Sequence, residues 1–276
     1  MKSMSVHLRD APPGGLFLRR FGKTAAMAAA SAVGDSRLFL FDYALRFLRV
    51  AVLLAIWRTV LAGRGTVSGM TLGAVLTYTL VAEAFAEQLT PRTQLGEMLW
   101  EGSLAIKFLQ PVSMVAGLSA DMCGRWLAGL CLFALPLLLC APLLGVDPRP
   151  AGPAQAAAFV LSVALAVSIG LALEIIFAAL AVALESAVWL VDRLRMAITA
   201  LLSGALLPLA LLPWGLGNAF GWLPFASMVS TPLKIYTGTG DAPALLALQA
   251  AWSVALWPLA HWYWNANRER LASHGG

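Results

Sequence analysis

The amino-acid sequence predicts an all-α integral membrane protein with six transmembrane helices. Three observations lead to this prediction: the composition, six long apolar runs, and the distribution of lysine and arginine between those runs. Of the 276 residues, 60% are hydrophobic and 12% are charged, whereas soluble domains contain roughly 45–50% apolar and about 25% charged residues. A soluble core of this size has no room for so much apolar surface, so the composition requires lipid as the solvent.

Six apolar runs are each predicted to cross the membrane. They lie at about residues 38–62, 70–89, 126–144, 156–184, 195–212 and 244–264. A hydrocarbon core of about 30 Å takes about 20 helical residues, because each residue rises about 1.5 Å. The chain is therefore expected to form one membrane domain over residues 38–276, after an arm over residues 1–37.

The basic residues between the runs predict the orientation. Segments assigned to the inner side hold twelve of the 19 lysines and arginines, and those assigned to the outer side hold only Arg64, Arg149 and Lys234. Since lysine and arginine concentrate on the cytoplasmic side of membrane proteins, both termini are expected in the cytoplasm. Clustering beside apolar runs also favours a membrane surface over nucleic acid as the partner of these charges.

The N-terminal arm contains RRFGKTAAMAAASAVG, in which twin arginines precede an alanine-rich run. This pattern mimics a secretory signal, but its apolar region is weak. An amphipathic helix on the inner membrane surface is favoured instead, with Phe17, Phe21 and Met27 available for lipid.

Motifs for catalysis and for cofactor binding are missing from the sequence. Gly22-Lys23-Thr24 resembles the end of a phosphate-binding loop, but Phe17 stands where that loop requires glycine. The three histidines are scattered, and Cys123, Cys131 and Cys140 lie in one apolar run, as expected of packing residues. No catalytic, cofactor or metal site is predicted.

Charged residues inside the apolar runs are the next candidates, because a charge in hydrocarbon costs at least a few kcal/mol. Several recur at i, i+4 spacing and share a helix face. Two interpretations stay open: a polar pathway or gate held by ion pairs between spans, and structural pairing with interfacial snorkelling. The candidates are Asp42, Arg46, Arg49, Glu83, Glu87, Asp121, Arg125 and Glu174.

Glycines and prolines interrupt the fifth run, at Gly204 and Pro208, and the apolar stretch that follows it. Because proline removes a helix hydrogen bond and glycine loosens the backbone, long helices cannot persist there. The segment is nevertheless apolar, which favours short re-entrant helices in the outer leaflet; the alternative is an outer loop with a short amphipathic helix. The residues that define this region are Gly204, Pro208, Pro213, Pro224 and Phe225.

The segment between the second and third runs, GEMLWEGSLAIKFLQPV over residues 96–112, mixes charges with large apolar side chains at helical spacing. Such a helix on the cytoplasmic face suits docking into a groove of another protein. It suits a position flat on the lipid surface equally well.

Four segments resemble type 2 ABC exporter permeases, and more narrowly a paired-permease subgroup of that family. EGS and LQPV, at residues 101–103 and 109–112, resemble the family's G-x-L…L-L-R-P-V segment. LSGALLPL at 202–209 and LPFASM at 223–228, followed by Pro232 and IYTG at 235–238, resemble its SG…PL and LPF…P…IY-x-G segments. The closing Gly275-Gly276 is similar too, whereas Gln110 departs from the family's basic residue.

This resemblance implies the type 2 ABC exporter fold and one half of an export pathway in a bacterial inner membrane. Loop 96–107 would be the coupling helix on a separate, dimeric cytoplasmic ATPase, the N-terminal arm the connecting helix, and the region after Gly204 the outer cap. ATP and Mg²⁺ would bind the ATPase, with no cofactor in this chain, and a second permease copy or a sister chain would complete the pathway. The implied coupling residues are Gly96, Glu97, Trp100, Glu101, Lys107 and Pro111.

Two other classes of function stay open from the residues alone. One is an ion- or proton-coupled transporter that uses Asp42, Glu83, Glu87 or Glu174 as proton carriers. The other is a membrane-embedded enzyme or assembly factor, for which the sequence offers no convergent polar site.

Overall fold

The computed structural model describes residues 13–34, 39–63, 66–67, 69–93, 95–101, 114–184 and 188–267. The first part contains α1 (Pro13–Gly34), α2 (Phe39–Val60), a two-stranded hairpin of β1 (Thr66–Val67) and β2 (Met70–Thr71), α3 (Leu72–Ala84), α4 (Ala86–Leu89) and α5 (Leu95–Glu101). Next come α6 (Met114–Gly129), a π-helical turn (Leu130–Ala134), α7 (Leu135–Cys140), α8 (Pro153–Ala183) and α9 (Val188–Leu202). A 3₁₀ turn (Leu209–Leu211), α10 (Leu216–Gly221), α11 (Pro224–Met228), α12 (Ser230–Thr237) and α13 (Ala242–Ala266) complete the described chain.

Three helices of the described residues are long and apolar enough to cross a membrane. They run over Gly117–Cys140, Pro153–Ala183 and Ala242–Ala266, which correspond to the predicted third, fourth and sixth spans. The predicted first span is a helix of 22 residues that carries several charges. The second is interrupted at Phe85. The chain is thus a mostly helical membrane protein, and the count of six spans stays a prediction.

Two helix boundaries differ from the expected ones, and glycine and proline explain why. The fifth predicted span, drawn to Leu212 with interruptions at Gly204 and Pro208, ends as a helix at Leu202, because Gly204 takes a left-handed φ of 82°. The third was drawn over residues 126–144, but its helix begins at Met114 and ends at Cys140. The turn that follows contains Pro142 and reaches Gly145 at φ 65°.

The largest apolar core lies between α3, α8, α12 and α13. At its centre three rings form a chain: Phe85 packs edge-on against Phe159 at 5.3 Å, and Phe159 against Tyr236 at 4.9 Å. A second core joins α2 and α3 to the π-helical turn and α7. Helix α3 belongs to both cores, so it is the element that joins the two halves of the described fold.

Buried polar bonds fasten α8 to α13. Gln249, fully buried, donates from Nε2 to the carbonyls of Ser162 and Ser227 and accepts from Ser162 Oγ at 2.7 Å. Lower down, Ser168 Oγ lies 2.7 Å from Ser253 Oγ and accepts from Trp257 Nε1 at 2.9 Å. Because interhelical hydrogen bonds stabilise helix association in lipid, α8, α11 and α13 are expected to move as one body.

Helix α1 packs along α6 through small residues. Gly124 is buried there, and a β-carbon at this position would overlap the carbonyl of Ala25. Small side chains allow this close approach of two helix backbones, as in membrane helix pairs. The arm is therefore anchored to the third predicted span, while its position at the membrane surface stays a prediction.

Candidate functional site

The charged face of α2 meets two carboxylates, that of Glu83 near the end of α3 and that of Glu87 in α4. Arg46 contacts Asp42 at 3.0 Å and Glu87 at 2.9 Å, and Arg49 contacts Glu83 at 3.0 Å. The structure therefore contains ion pairs between the first and second predicted spans. Each arginine thus neutralises a carboxylate on a neighbouring helix, Arg46 that of Glu87 and Arg49 that of Glu83.

Two local features let Glu87 reach Arg46. The helix breaks at Phe85, between Glu83 and Glu87, so the two carboxylates need not follow one continuous helical face. Gly129 on α6 then makes room, since a β-carbon at Gly129 would lie 2.6 Å from Glu87 Oε2. The Arg46 guanidinium also lies 5.8 Å from the Phe133 ring centre, within range of a cation–π contact.

A cavity of about 630 Å³ lies beside these ion pairs. Four arginines and three carboxylates line it, so it is strongly polar although it is walled by predicted spans. A smaller cavity of about 230 Å³ continues it toward α9. The residues that line both are Arg49, Glu83, Ala86, Thr90 and Arg92.

The predicted pair on the third span also forms. Arg125 Nη2 lies 2.7 Å from Asp121 Oδ2, one helical turn away on α6. Arg125 also lines the larger cavity. Both residues of this pair lie on one helix, so the pair does not join two spans. Its contribution to the cavity is the Arg125 side chain.

Glu174 is the centre of a second network, on α8. Its Oε1 accepts two hydrogen bonds of 2.9 Å from Thr93, one from the backbone N–H and one from the hydroxyl. Its Oε2 lies 3.6 Å from Arg195 Nη1, and Arg195 Nη2 lies 2.9 Å from Asp192. The Glu174 side chain is only 6% exposed, so its charge is compensated by these neighbours alone.

Sequence reasoning treated Glu174 as isolated and missed Thr93, Asp192 and the role of Arg195. A signal existed, because a lone carboxylate in an apolar span needs a partner. Arg193 and Arg195 are the nearest basic residues along the chain toward the C-terminus. Nothing in the sequence pointed to Thr93, because any polar residue of the loop before α5 could bond to Glu174.

The loop before α5 contacts α8 at a second point, one turn from Glu174. Gly170 and Pro91 are both buried, and a β-carbon at Gly170 would overlap the Pro91 ring. The loop is thus held by close packing at Gly170 and by hydrogen bonds at Glu174. Because Gly170 and Glu174 are four residues apart, both contacts lie on one face of α8.

Helix α5 covers the first part of the predicted coupling segment. Leu95 and Met98 are buried against Leu118 on α6 and against Ala178 and Val182 on α8. The backbone at Gly96, Glu97 and Trp100 is helical, and Glu101 is exposed. Lys107 and Pro111 lie outside the described residues. One face of α5 is therefore fixed to the membrane domain.

Comparison with family models gives a match over most of the chain. The model of the ABC-2 family transporter proteins matches residues 47–275. The chain belongs to this family. A search of curated proteins gives no match. The chain is accordingly the permease, the membrane component of an ABC transporter; the permease is not itself catalytic, and ATP hydrolysis belongs to partner proteins. Membership also implies association with an ABC ATPase.

In this ABC-2 permease the region after Gly204 forms short helices, as predicted. Pro208 precedes the 3₁₀ turn, Pro213 lies between it and α10, and Pro224 is the first residue of α11. Phe225 packs partly buried against the main core, and Tyr78 on α3 donates to the Gly204 carbonyl at 2.9 Å. These contacts fix the segment to α3, and its depth in the bilayer stays a prediction.

The segment after Gly204, which is predicted to lie on the outer side, makes both polar and apolar contacts with its surroundings. Tyr236 donates to the carbonyl of Pro148 in the loop before α8. Burial, and secondarily the nearby Asp147, raises the pKa of Tyr236, while burial lowers the pKa of Lys234. Trp214 and Trp222 are 92% and 70% exposed, as expected of side chains that face lipid or its interface.

Proposed function

We propose that this chain is the membrane-spanning subunit of an ATP-driven exporter in a bacterial inner membrane, with both termini in the cytoplasm. It forms half of the translocation pathway and couples to a separate ATPase dimer through residues 96–107. The observation that carries this proposal is the attachment of the loop before α5 to α8 at Glu174. A docking helix transmits movement only if it is joined firmly to the spans, and this contact supplies the joint.

Movement of α5 has a direct route to two predicted spans. The route runs from Thr93 to Glu174 on α8, and from Glu174 to Arg195 on α9. ATP and Mg²⁺ belong to the partner ATPase. When that dimer closes, displacement of α5 shifts α8 and α9 between inward-open and outward-open arrangements. The size of the shift depends on how much more tightly the closed ATPase dimer binds one arrangement than the other.

A second permease, identical or a sister chain, completes the pathway in this proposal. The face of α2 away from α3 supports it, because it is apolar and exposed. Leu45, Leu48, Val52 and Ile56 recur at helical spacing and are 48–58% exposed. Lipid covers whatever part of this face the second permease leaves free.

Proton-coupled transport receives less support. Each of the four candidate proton carriers is instead engaged in an ion pair with an arginine. Arg46 contacts Asp42 and Glu87, Arg49 contacts Glu83, and Arg195 contacts Glu174. These contacts favour the gate or structural interpretation of the four carboxylates.

Site-directed cross-linking tests the coupling. Cys123, Cys131 and Cys140 are exposed and are first replaced by alanine. Glu101→Cys, at the exposed end of α5, is expected to cross-link to a co-expressed ABC ATPase, and Thr239→Cys, in the predicted outer segment, serves as the control. Cross-linking from both positions, from neither, or full transport without any ATPase would refute the proposal.

A further inference from the structure

The two adjoining cavities beside the ion pairs of α2 have more arginines than carboxylates in their walls. The charged residues that line one or both cavities are Arg46, Arg49, Arg92, Arg125 and Arg195, against Asp42, Glu83 and Glu87. Each of these carboxylates already has an arginine partner, since Arg46 contacts Asp42 and Glu87, and Arg49 contacts Glu83. The excess charge of the walls is therefore positive.

Arg92 is, among the described residues, the lining charge without a partner of its own. Arg125 contacts Asp121 and Arg195 contacts Asp192, whereas Arg92 takes part in no ion pair or side-chain hydrogen bond within the described ranges. Arg92 lines both cavities and is exposed, so a ligand can reach it. A guanidinium carries five N–H donors, and those of Arg92 are available to an anion.

The backbone of Arg92 is held on both sides. Pro91 is buried and packs against Gly170, and Thr93 bonds to Glu174 through its backbone N–H and its hydroxyl. Both neighbours of Arg92 are thus fixed to α8. A binding group on a fixed backbone loses less conformational freedom when it takes up a ligand, so this loop presents Arg92 in a preorganised position.

The smaller cavity adds an apolar wall to this cationic one. The residues that it shares with the larger cavity are mostly polar, whereas many that line it alone are apolar and come from α4, α9 and the segment after Gly204. Its volume of about 230 Å³ exceeds the roughly 150 Å³ that holds a benzene ring, so an apolar chain fits there. These apolar residues include Leu89, Met196, Leu206, Met228 and Val229.

We propose that these cavities bind an amphipathic oxyanion, namely a phosphate, sulfonate or carboxylate group on an alkyl chain. The oxyanion accepts hydrogen bonds from the Arg92 guanidinium, whose planar fork fits two oxygens, and the chain lies against Leu206, Met228 and Val229. A membrane lipid and a free amphiphile both have this chemistry, and basic pockets between membrane helices bind anionic head groups. As the substrate class of the pathway the anion rests on the proposed function, but its binding requires only this chain.

Two isosteric probes test the charge preference. Tritiated octanesulfonate and its neutral isostere octanesulfonamide are titrated onto purified permease in phosphatidylcholine nanodiscs, with empty nanodiscs subtracted. Wild type is expected to bind the sulfonate at least about tenfold more tightly, which one charge-assisted hydrogen bond supplies. Equal affinity for the two probes, or no binding of either, overturns the proposal without any variant.

Variants of two arginines locate the charged end of the site. Arg92→Gln is expected to lower the affinity for the sulfonate to that for the sulfonamide, while Arg92→Lys keeps the charge and should retain most of the preference. Arg149→Gln is the matched control, because Arg149 is exposed and lines neither cavity. A preference that survives Arg92→Gln, or that Arg149→Gln removes equally, refutes the assignment to Arg92.

Two alanines of α9 locate the apolar end. Ala200 lines the smaller cavity, so Ala200→Leu narrows it and should weaken both probes. Ala197 is exposed on the same helix and does not line this cavity, so Ala197→Leu should weaken neither. Binding unchanged by Ala200→Leu would show that the chain lies elsewhere. Since no ATPase is present, failure in these measurements leaves the proposed coupling untouched.

The lipid composition of the nanodisc distinguishes the two sources of the anion. If Arg92 holds a lipid phosphate, replacing part of the phosphatidylcholine by phosphatidylglycerol should raise the Kd of octanesulfonate more in wild type than in Arg92→Gln. The Arg92→Gln variant corrects for repulsion of the probe by the charged bilayer. Competition that depends on Arg92 assigns the site to a membrane lipid, and equal changes in the two proteins assign it to a free amphiphile.

Discussion

The backbone N–H and the hydroxyl of Thr93 both bond to one oxygen of Glu174, each at 2.9 Å. This contact joins the loop before α5 to the middle of a 31-residue helix. Glu174 is almost fully buried, so water cannot replace these bonds when they break. In the function proposed above, this contact is the joint through which movement of α5 reaches α8.

Removing the charge of this joint should uncouple the permease. Glu174→Gln weakens two charge-assisted hydrogen bonds, each worth about 1.5–3 kcal/mol, and its contact with Arg195. We expect the ATPase to co-purify with the variant, while permease-dependent stimulation of ATP hydrolysis falls about tenfold. ATPase activity of the reconstituted complex measures this effect.

The partner residue provides the matched controls for that prediction. Thr93→Val keeps the backbone bond to Glu174 but removes the hydroxyl bond, together with the bond that this hydroxyl accepts from the Leu95 N–H at 3.1 Å, and should give a smaller loss. Thr93→Ser keeps the hydroxyl and should retain wild-type stimulation. Equal stimulation by Glu174→Gln and wild type would show that the joint does not transmit movement.

The packing contact one turn away should respond to an added methyl group. Gly170→Ala forces a β-carbon against the Pro91 ring, and such overpacking costs about 1–3 kcal/mol. We expect lower thermal stability of the purified permease and weaker coupling. Gly117→Ala is the control, because nothing lies within 4 Å of a β-carbon there and alanine favours helix.

The pair between α2 and α3 should tolerate exchange of its charges. Arg49→Glu or Glu83→Arg alone places like charges about 3 Å apart where Arg49 meets Glu83, so each single variant should lower the yield and the thermal stability. The double variant restores the attraction, with a coupling of about 0.5–3 kcal/mol as for neighbouring residues. Additive losses in the double variant would contradict a direct interaction.

Gly204 should tolerate alanine less well than Gly215, a glycine of similar φ in the same segment. Its φ of 82° is left-handed, and a β-carbon would lie 2.9 Å from Tyr78 Oη. Gly204→Ala therefore costs about 1–2 kcal/mol of backbone strain in addition to the overlap. Gly215→Ala has a similar φ of 73° but open space, so thermal unfolding should show only the strain in that variant.

Composition and spacing predicted the helical class and the pairing residues, because both depend on local rules. The i, i+4 spacing places Asp42 and Arg46 on one face of α2, whereas the contact of Glu87 with Arg46 also depends on the helix break at Phe85. Short helices after Gly204 followed in the same way from glycine and proline. The resemblance to the family rests on ordered motifs at residues 101–112, 202–209 and 223–238.

The Glu174 network depends on tertiary packing and was not predictable in that way. Thr93 and Glu174 are 81 residues apart, and nothing periodic connects them. The break at Phe85 and the room that Gly129 gives Glu87 also depend on neighbours distant in sequence. The end of the fifth helix at Leu202 lies just before the interruption expected at Gly204, although the apolar run itself continues to Leu212.

Orientation is the last prediction, and single cysteines test it. In a background with Cys123, Cys131 and Cys140 replaced by alanine, Glu101→Cys and Thr239→Cys are treated with a membrane-impermeant maleimide on intact cells. Both positions are exposed in the structure. Thr239→Cys should react at once, whereas Glu101→Cys should react only after the membrane is opened, because the surplus of arginine and lysine places α5 inside.

A third cysteine completes the orientation test at the other outer turn. Leu143→Cys, at a position 87% exposed just after α7, should label like Thr239→Cys if α6 and α7 run from the inner to the outer side. Labelling of Glu101→Cys on intact cells would invert the topology and remove α5 from reach of a cytoplasmic ATPase. Labelling of Leu143→Cys only after the membrane is opened would show instead that the third predicted span does not cross.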